Sequence, residues 1–144
     1  MQGLPHHYHI SAEAAVEGGV AVSGNLLPTL DTQPPPEFGG PEGHWSPETL
    51  LTASVADCFI LSFRAIARAS KFDWNRLECS VEGILDRVDR VTQFTCFNID
   101  VVLHVAPDAR LDMAQRLLEK AKQACLVTNS LNSETTLKIN IKTS

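Results

Sequence analysis

The chain has 144 residues, of which 44% are hydrophobic and 20% are charged, a balance that predicts one ordinary globular domain over residues 1–144. Its formal net charge of −5 at pH 7 argues against nucleic acid as a partner, because phosphate binding needs a concentrated basic face. No uncharged apolar run approaches the length of about 18 residues that a membrane helix needs, and the first residues lack the basic-then-apolar order of a signal peptide. We therefore expect a cytoplasmic protein with no membrane partner.

The N-terminal part of the chain has the pattern of short strands. Alternating apolar residues over 8–16 predict a half-buried strand, and Gly18-Gly19 predicts a tight hairpin into Val20–Ser23. A short strand near 29–32 follows. Residues 33–46 hold four prolines and three glycines, which predict a long loop without regular structure.

A helix is predicted from Pro47 to about Ala69. Ser46 has the side chain of a helix cap, Pro47 suits the first helical position, and an acidic residue follows where the helix dipole favours negative charge. Only one charged residue, Asp57, occurs between positions 49 and 63. A surface helix carries more charge. We therefore expect a central helix that is covered on most sides, by its own sheet or by a second subunit.

The C-terminal half predicts two strands, a helix and a last strand. Alternation over 77–85 and 97–105 predicts a hairpin, and Pro107-Asp108 opens a second helix that ends at Cys125. Alternation over 137–142 predicts the final strand. Two cysteines thus lie on the apolar stripes of two helices, Cys58 on the first and Cys125 on the second.

The cysteine pattern predicts reactive or buried thiols. The four cysteines include no C-x-x-C pair and no histidines at zinc spacing, so we expect no metal and no cofactor. Cys79 shares its strand face with apolar residues and is interpreted as a core residue, whereas Cys96 is expected on the more exposed face. The N-terminal histidines, which lack further ligands at a useful spacing, are interpreted as exposed polar side chains; they are His6, His7 and His9.

The order of these elements resembles that of the OsmC/Ohr family of thiol peroxidases, over nearly the whole chain. The most specific matches are Ser46-Pro47-Glu48-x-Leu50-Leu51 with Cys58-Phe59 beyond it, and the segment 121–131 around Cys125. The resemblance implies an α+β domain with an antiparallel-rich sheet, a central buried helix and a second helix. It also implies an intertwined homodimer that covers the central helix.

The resemblance further implies the reduction of organic or lipid hydroperoxides in oxidative-stress defence. Cys58 would attack the O–O bond and become a sulfenic acid, and Cys125 would condense with it to a disulfide that an external dithiol reduces. Glu48 fits the carboxylate that orients the family's catalytic Arg. Substrate contacts are expected from aromatic residues near the loop and the central helix, namely Phe38, Trp45 and Phe59.

The chain departs from the family pattern at the catalytic Arg, which the family carries before the central helix. Residues 1–57 contain seven acidic residues and no Lys or Arg, so this part is formally −7 and the remainder +2. Arg64 and Arg68 are too far round or along the helix to reach Cys58. Other possible cations are Arg87, Arg90, His44 or a group from a second subunit. The alternative hypothesis is therefore a non-peroxidase member of the fold that binds a small apolar ligand.

Overall fold

The computed structural model describes all residues from Met1 to Ser144, and the chain forms two compact units, Met1–Leu50 and Leu51–Ser144. Each unit contains one three-stranded sheet. The helices lie almost entirely in the second unit. The α+β class predicted from the sequence is confirmed.

The first unit is a small antiparallel sheet of strands β1 (Ser11–Glu13), β2 (Val20–Ser23) and β3 (Leu30–Thr32), followed by a 3-10 turn at Pro36–Phe38. Strands β1 and β2 form the predicted hairpin into Val20–Ser23, but the predicted tight two-glycine turn is wrong. Residues 14–19 connect β1 to β2, and Gly18 is the only residue among them with positive φ, at 96°. A two-residue type I′ turn needs positive φ at both central positions, so the connection is a longer loop.

Helix α1 runs from Pro47 to Ala69, the bounds that the sequence predicts. The Ser46 hydroxyl oxygen accepts the backbone N–H of Thr49 at 3.1 Å, and the Thr49 hydroxyl oxygen accepts the backbone N–H of Ser46 at 2.8 Å. These reciprocal bonds satisfy donors that lack intrahelical partners at the start of a helix. The cap therefore fixes where α1 begins.

The second unit is built on a mixed sheet in the order β4-β5-β6. Strands β4 and β5 form the predicted antiparallel hairpin, with positive φ at both Asp89 and Arg90 in the turn. Strand β6 pairs in parallel with β5, which requires the helical crossover that separates them. The elements are β4 (Arg76–Val88), β5 (Val91–Val105), α2 (Leu111–Ala124), α3 (Leu126–Asn129) and β6 (Glu134–Thr143).

The core of this unit lies between the inner face of the sheet and the two longer helices. Helix α1 contributes a stripe at steps of four, and Phe63 on this stripe packs edge-on against Trp74 at 5.4 Å between ring centroids. The sequence favours a different stripe of α1, the one that carries Cys58. The residues of this Cys58 stripe are half-buried or exposed, namely Ser54, Cys58, Leu61, Ser62 and Ala65. The fully buried α1 residues are Val55, Phe59, Phe63 and Ala67.

Helix α1 leaves much of its surface uncovered within one chain. The most apolar stretch of 18 residues in α1 has a mean hydropathy of 1.6, and 22% of this stretch is buried. The helix therefore meets the length and composition criteria for a membrane span. Core helices of soluble proteins meet the same criteria, and α1 contributes a full buried stripe to the core. Its charged residues are Glu48, Asp57, Arg64 and Arg68.

Candidate active site

Cys58 lies half-buried on α1 and lines an open groove in the second unit with a volume of about 440 Å³. This volume falls within the range of small-molecule sites, about 300 to 1,000 Å³. One wall comes from α1 and the other from the segment that follows Cys125. The groove is lined by Ser54, Asp57, Cys58, Leu61, Ser62, Ala65, Leu126 and Val127.

The backbone breaks at Cys125, between α2 and α3. Cys125 has φ −64° and ψ 104°, an extended conformation that ends α2 and lets α3 begin at Leu126. The first amides of a helix have no intrahelical acceptor. The backbone N–H groups of Leu126 and Val127 instead donate to the sulfur of Cys58. The break thus brings two amide donors to a side chain on another helix.

Hydrogen bonds lower the pKa of the Cys58 thiol below its ordinary value. Burial of the sulfur is the largest single influence and raises the pKa, because a charged form is disfavoured away from water. Donors from the Val127 backbone, the Cys125 thiol, the Ser62 hydroxyl and the Leu126 backbone together outweigh burial. The Ser62 oxygen lies 3.9 Å from the Cys58 sulfur. The site therefore favours the thiolate, the nucleophilic form of cysteine.

Cys125 is fully buried, and its pKa is raised. Burial is the main cause, and hydrogen bonds from Thr128 oppose it only in part. The Cys125 thiol also donates to the Cys58 sulfur, which keeps its proton in place and raises its pKa further. Neither cysteine is in a disulfide. The two sulfurs thus form an asymmetric pair, in which the pKa of Cys58 is lowered and the pKa of Cys125 is raised.

The other predicted site residues lie outside the groove lining. Glu48 is in the first turn of α1, and Phe38 and Trp45, with 59% and 50% of their surface exposed, belong to the first unit. Their assignments stay predictions. Phe59 is 0% exposed and packs in the core of the second unit, so it does not line the groove. Leu61, Ala65, Leu126 and Val127 supply the apolar lining there.

No arginine of the second unit lies against the Cys58 sulfur. None of them hydrogen-bonds this sulfur or is among the groups with the largest effect on its pKa. The donors found instead are two backbone amides, a thiol and a hydroxyl. The sequence does not predict the amides of Leu126 and Val127 as donors. Every residue except proline has a backbone N–H, so no residue type marks the ones that reach Cys58. The only signal for Ser62 was its position one helical turn after Cys58.

The remaining thiols lie on the long hairpin. Cys79 is half-buried on the inner face of β4, and burial, with smaller contributions from Cys125 and Asp100, raises its pKa to about 11. Cys96 is half-buried and lies 3.2 Å from the Asn98 side-chain oxygen, to which its thiol donates. No group of three or more His, Cys, Asp or Glu side chains has the arrangement of a metal site.

Comparison with known proteins places this chain in a family. The model of the family described as "OsmC-like protein" matches residues 39–140, well over half of the chain. The chain belongs to the OsmC-like family. The resemblance drawn from the sequence is therefore confirmed.

Relatives of this OsmC-like chain cover nearly its whole length. The uncharacterized protein YmaD of Bacillus subtilis is 28% identical over 142 residues, which span 93% of this chain and 92% of YmaD. An OsmC-like protein of unknown function from Vibrio cholerae superposes with a TM-score of 0.83 at 16% identity, covering 94% of this chain and 99% of its own. An organic hydroperoxide resistance protein OsmC from Legionella pneumophila has a TM-score of 0.73 at 24% identity, with 97% and 99% covered. These two likenesses show the fold.

Proposed function

We propose that this OsmC-like protein is a thiol peroxidase that reduces organic or lipid hydroperoxides, with Cys58 as nucleophile and Cys125 as resolving thiol. The observation that carries the proposal is the asymmetric thiol pair, of which Cys58 lines an accessible groove and Cys125 is buried. A peroxidatic cysteine must be ionised and reachable, and its resolving partner must be close. Some proteins of similar structure are named organic hydroperoxide resistance proteins.

The proposed cycle has three balanced steps. The Cys58 thiolate attacks one peroxide oxygen, the O–O bond breaks, and the alkoxide leaves as an alcohol after taking a proton, so the sulfur becomes a sulfenic acid. The Cys125 sulfur then attacks the sulfenic sulfur, forming the Cys58–Cys125 disulfide and releasing water. An external dithiol, the proposed cytoplasmic reductant, exchanges with this disulfide, restoring both thiols as its own sulfurs become a disulfide.

The asymmetry of the thiol pair supports this order of events. Four hydrogen bonds favour the thiolate at Cys58, whereas Cys125 is buried and keeps its proton. The same proton is donated to the Cys58 sulfur before the reaction. Hydrogen bonds of this kind do the work that the family assigns to its Arg, which this chain lacks before residue 64. Glu48, the proposed orienting carboxylate, therefore has no Arg in residues 1–57 to orient.

The groove favours an organic substrate over hydrogen peroxide. Beside Cys58 it presents Leu61, Ala65, Leu126 and Val127 as apolar lining. Burying an alkyl group against such side chains contributes about 0.8 kcal/mol per methylene. A hydroperoxide with a hydrocarbon group gains this energy, whereas hydrogen peroxide does not.

We also propose that the protein works as a homodimer. Within one chain, α1 is 22% buried over its most apolar window, and only three of the first fifty residues are buried, namely Thr32, Pro35 and Ser46. Large exposed apolar surface of this extent is unusual for a monomer in water. A second copy would cover it. Light scattering coupled to size-exclusion chromatography is expected to give twice the chain mass of 15.7 kDa, and a monomer would contradict the proposal.

A coupled turnover assay tests the peroxidase proposal. Cumene hydroperoxide consumption is followed with dithiothreitol as reductant for the wild type, Cys58→Ser and Cys96→Ser. The wild type and Cys96→Ser are expected to turn over at similar rates, and Cys58→Ser at the uncatalysed rate. Loss of peroxide no faster than with a small free thiol, in all three proteins, would remove the enzyme function.

A second candidate function is the binding of a small apolar ligand without turnover. It is favoured by the apolar lining of the groove and by the absence of an arginine beside Cys58. The two functions separate in native mass spectrometry. A retained small molecule in a protein that is inert to hydroperoxide supports binding, whereas peroxide-dependent loss of both thiols supports the enzyme.

A further inference from the structure

Asp57 is the only charged residue that lines the groove at Cys58. It precedes the nucleophile on α1 and is exposed, so its carboxylate faces the solvent-filled space that a substrate must enter. The other lining side chains are apolar or carry a hydroxyl, apart from Cys58 itself. Within one chain, the groove lining therefore presents negative charge and no compensating cation.

The rest of the sequence limits how that charge is compensated. Residues 1–57 contain seven acidic residues and no Lys or Arg. Any surface that this part of the chain presents to the groove, from the same copy or from a second one, adds no arginine or lysine. A carboxylated substrate thus meets Asp57 and the Cys58 thiolate without an ion-pair partner from residues 1–57.

We propose that Asp57 makes the enzyme select uncharged hydroperoxides over those that carry a carboxylate. The inference rests on the proposed peroxidase function and concerns the substrate class of that same groove. The bonds broken and formed at the O–O group are those of the cycle above, and only the charge on the rest of the substrate differs. Like charges within about 8 Å, the Debye length at physiological ionic strength, repel without full screening.

The selectivity test uses two substrates that differ in one carboxylate, cumene hydroperoxide and its para-carboxylated analogue. The measured quantity is the ratio of kcat/KM for the neutral over the charged compound. Both compounds react with the same thiolate, so a change in Cys58 reactivity cancels in the ratio. The wild type is expected to favour the neutral compound by about twofold to fivefold, the effect in water of one like charge at about 8 to 4 Å.

Three variants locate the source of the selectivity. Asp57→Asn is expected to lower the ratio toward one, and Asp57→Lys to lower it further. Asp57→Glu, which keeps the charge, is expected to retain the wild-type ratio. Asp108→Asn changes the net charge equally at an exposed residue outside the groove, and the ratio is expected to stay unchanged. The wild-type ratio should also fall with added salt, because screening weakens the repulsion.

The outcomes separate this inference from the function on which it rests. If the wild type turns over neither compound, the peroxidase proposal fails and the selectivity inference fails with it. If it turns over both at equal kcat/KM, or if the ratio is the same in Asp57→Asn and wild type, only the role of Asp57 is overturned. If Asp57→Asn does not fold, the salt dependence of the wild type tests the inference instead. A wild-type kcat/KM ratio that does not change with added salt would overturn the role of Asp57.

Discussion

Replacing Leu126 by proline removes one amide donor from the Cys58 sulfur with little other change. Leu126 is the first residue of α3, where proline is well tolerated because its missing N–H has no helical acceptor. The preceding residue, Cys125, has ψ 104°, close to the extended range that a residue before proline prefers. The Leu126 N–H donates to Cys58, and this bond is lost in Leu126→Pro.

The expected effect follows from the strength of a hydrogen bond to a charged group. Such bonds contribute about 1.5 to 3 kcal/mol, and the low end applies because Cys58 is partly exposed and solvent replaces some of the interaction. The Leu126 amide is the weakest of the four hydrogen bonds that lower the pKa of Cys58, so we expect its loss to decrease the thiolate fraction by less than about tenfold, the effect of about 1.4 kcal/mol, at any pH below the pKa. The direction is a higher pKa for Cys58 in Leu126→Pro.

The assay is alkylation of Cys58 by iodoacetamide as a function of pH, read by peptide mass spectrometry. Leu126→Ala is the matched control, because it removes the same side chain, which is 69% exposed, and keeps the N–H. The inflection for Leu126→Pro is expected at higher pH than for Leu126→Ala, which should resemble the wild type. Identical profiles for the two variants would refute amide donation as a cause of the lowered pKa.

Three further outcomes follow from the same contacts. Ser62→Ala removes the hydroxyl 3.9 Å from the Cys58 sulfur, and because this bond is long we expect alkylation at neutral pH to slow by about threefold at most; faster alkylation would contradict the contact. Phe63→Ala should lower the free energy of unfolding by about 3 to 5 kcal/mol, because a fully buried ring is lost, and an unchanged urea midpoint would count against the core described above. The raised pKa of Cys79, about 11, predicts that stability falls as pH rises from the pKa of the unfolded thiol toward that value, because only the unfolded state then loses the proton. Cys79→Ala should flatten the slope of unfolding free energy against alkaline pH, and an equal slope would disprove the assignment.

Most elements of the fold were predictable because their signals are local. The bounds of α1 follow from the Ser46 cap and Pro47, and the β4–β5 hairpin from two alternating runs. Strand β1 is shorter than the alternation over 8–16 suggests. Every residue of β1 is exposed, so no packing selects the register of the longer run.

The remaining features depend on contacts between distant segments. The parallel pairing of β6 with β5 is a tertiary choice that the alternation over 137–142 does not encode. Which stripe of α1 is buried was also ambiguous, because both the Phe59 stripe and the Cys58 stripe are largely apolar. The sheet covers the stripe with the larger side chains, and Cys58 is left beside the groove.

The candidate site was only partly predictable. The pairing of Cys58 with Cys125 came from the family resemblance, since helical periodicity alone gives two thiols on two helices. The donors at Cys58 are backbone amides freed by the break at Cys125, where no glycine or proline marks the end of α2. No side-chain pattern marks such donors, so the sequence alone predicts a cation beside Cys58 instead.

The most direct test is to add one equivalent of cumene hydroperoxide to the fully reduced protein and to map the sulfurs by intact and peptide mass spectrometry. We predict rapid loss of two thiols, with the peptides of Cys58 and Cys125 joined by a disulfide. In Cys125→Ser we predict oxygen addition at Cys58 with no such bridge. Oxidation that is slow, or that falls on Cys79 or Cys96 while Cys58 stays reduced, would contradict the proposed chemistry.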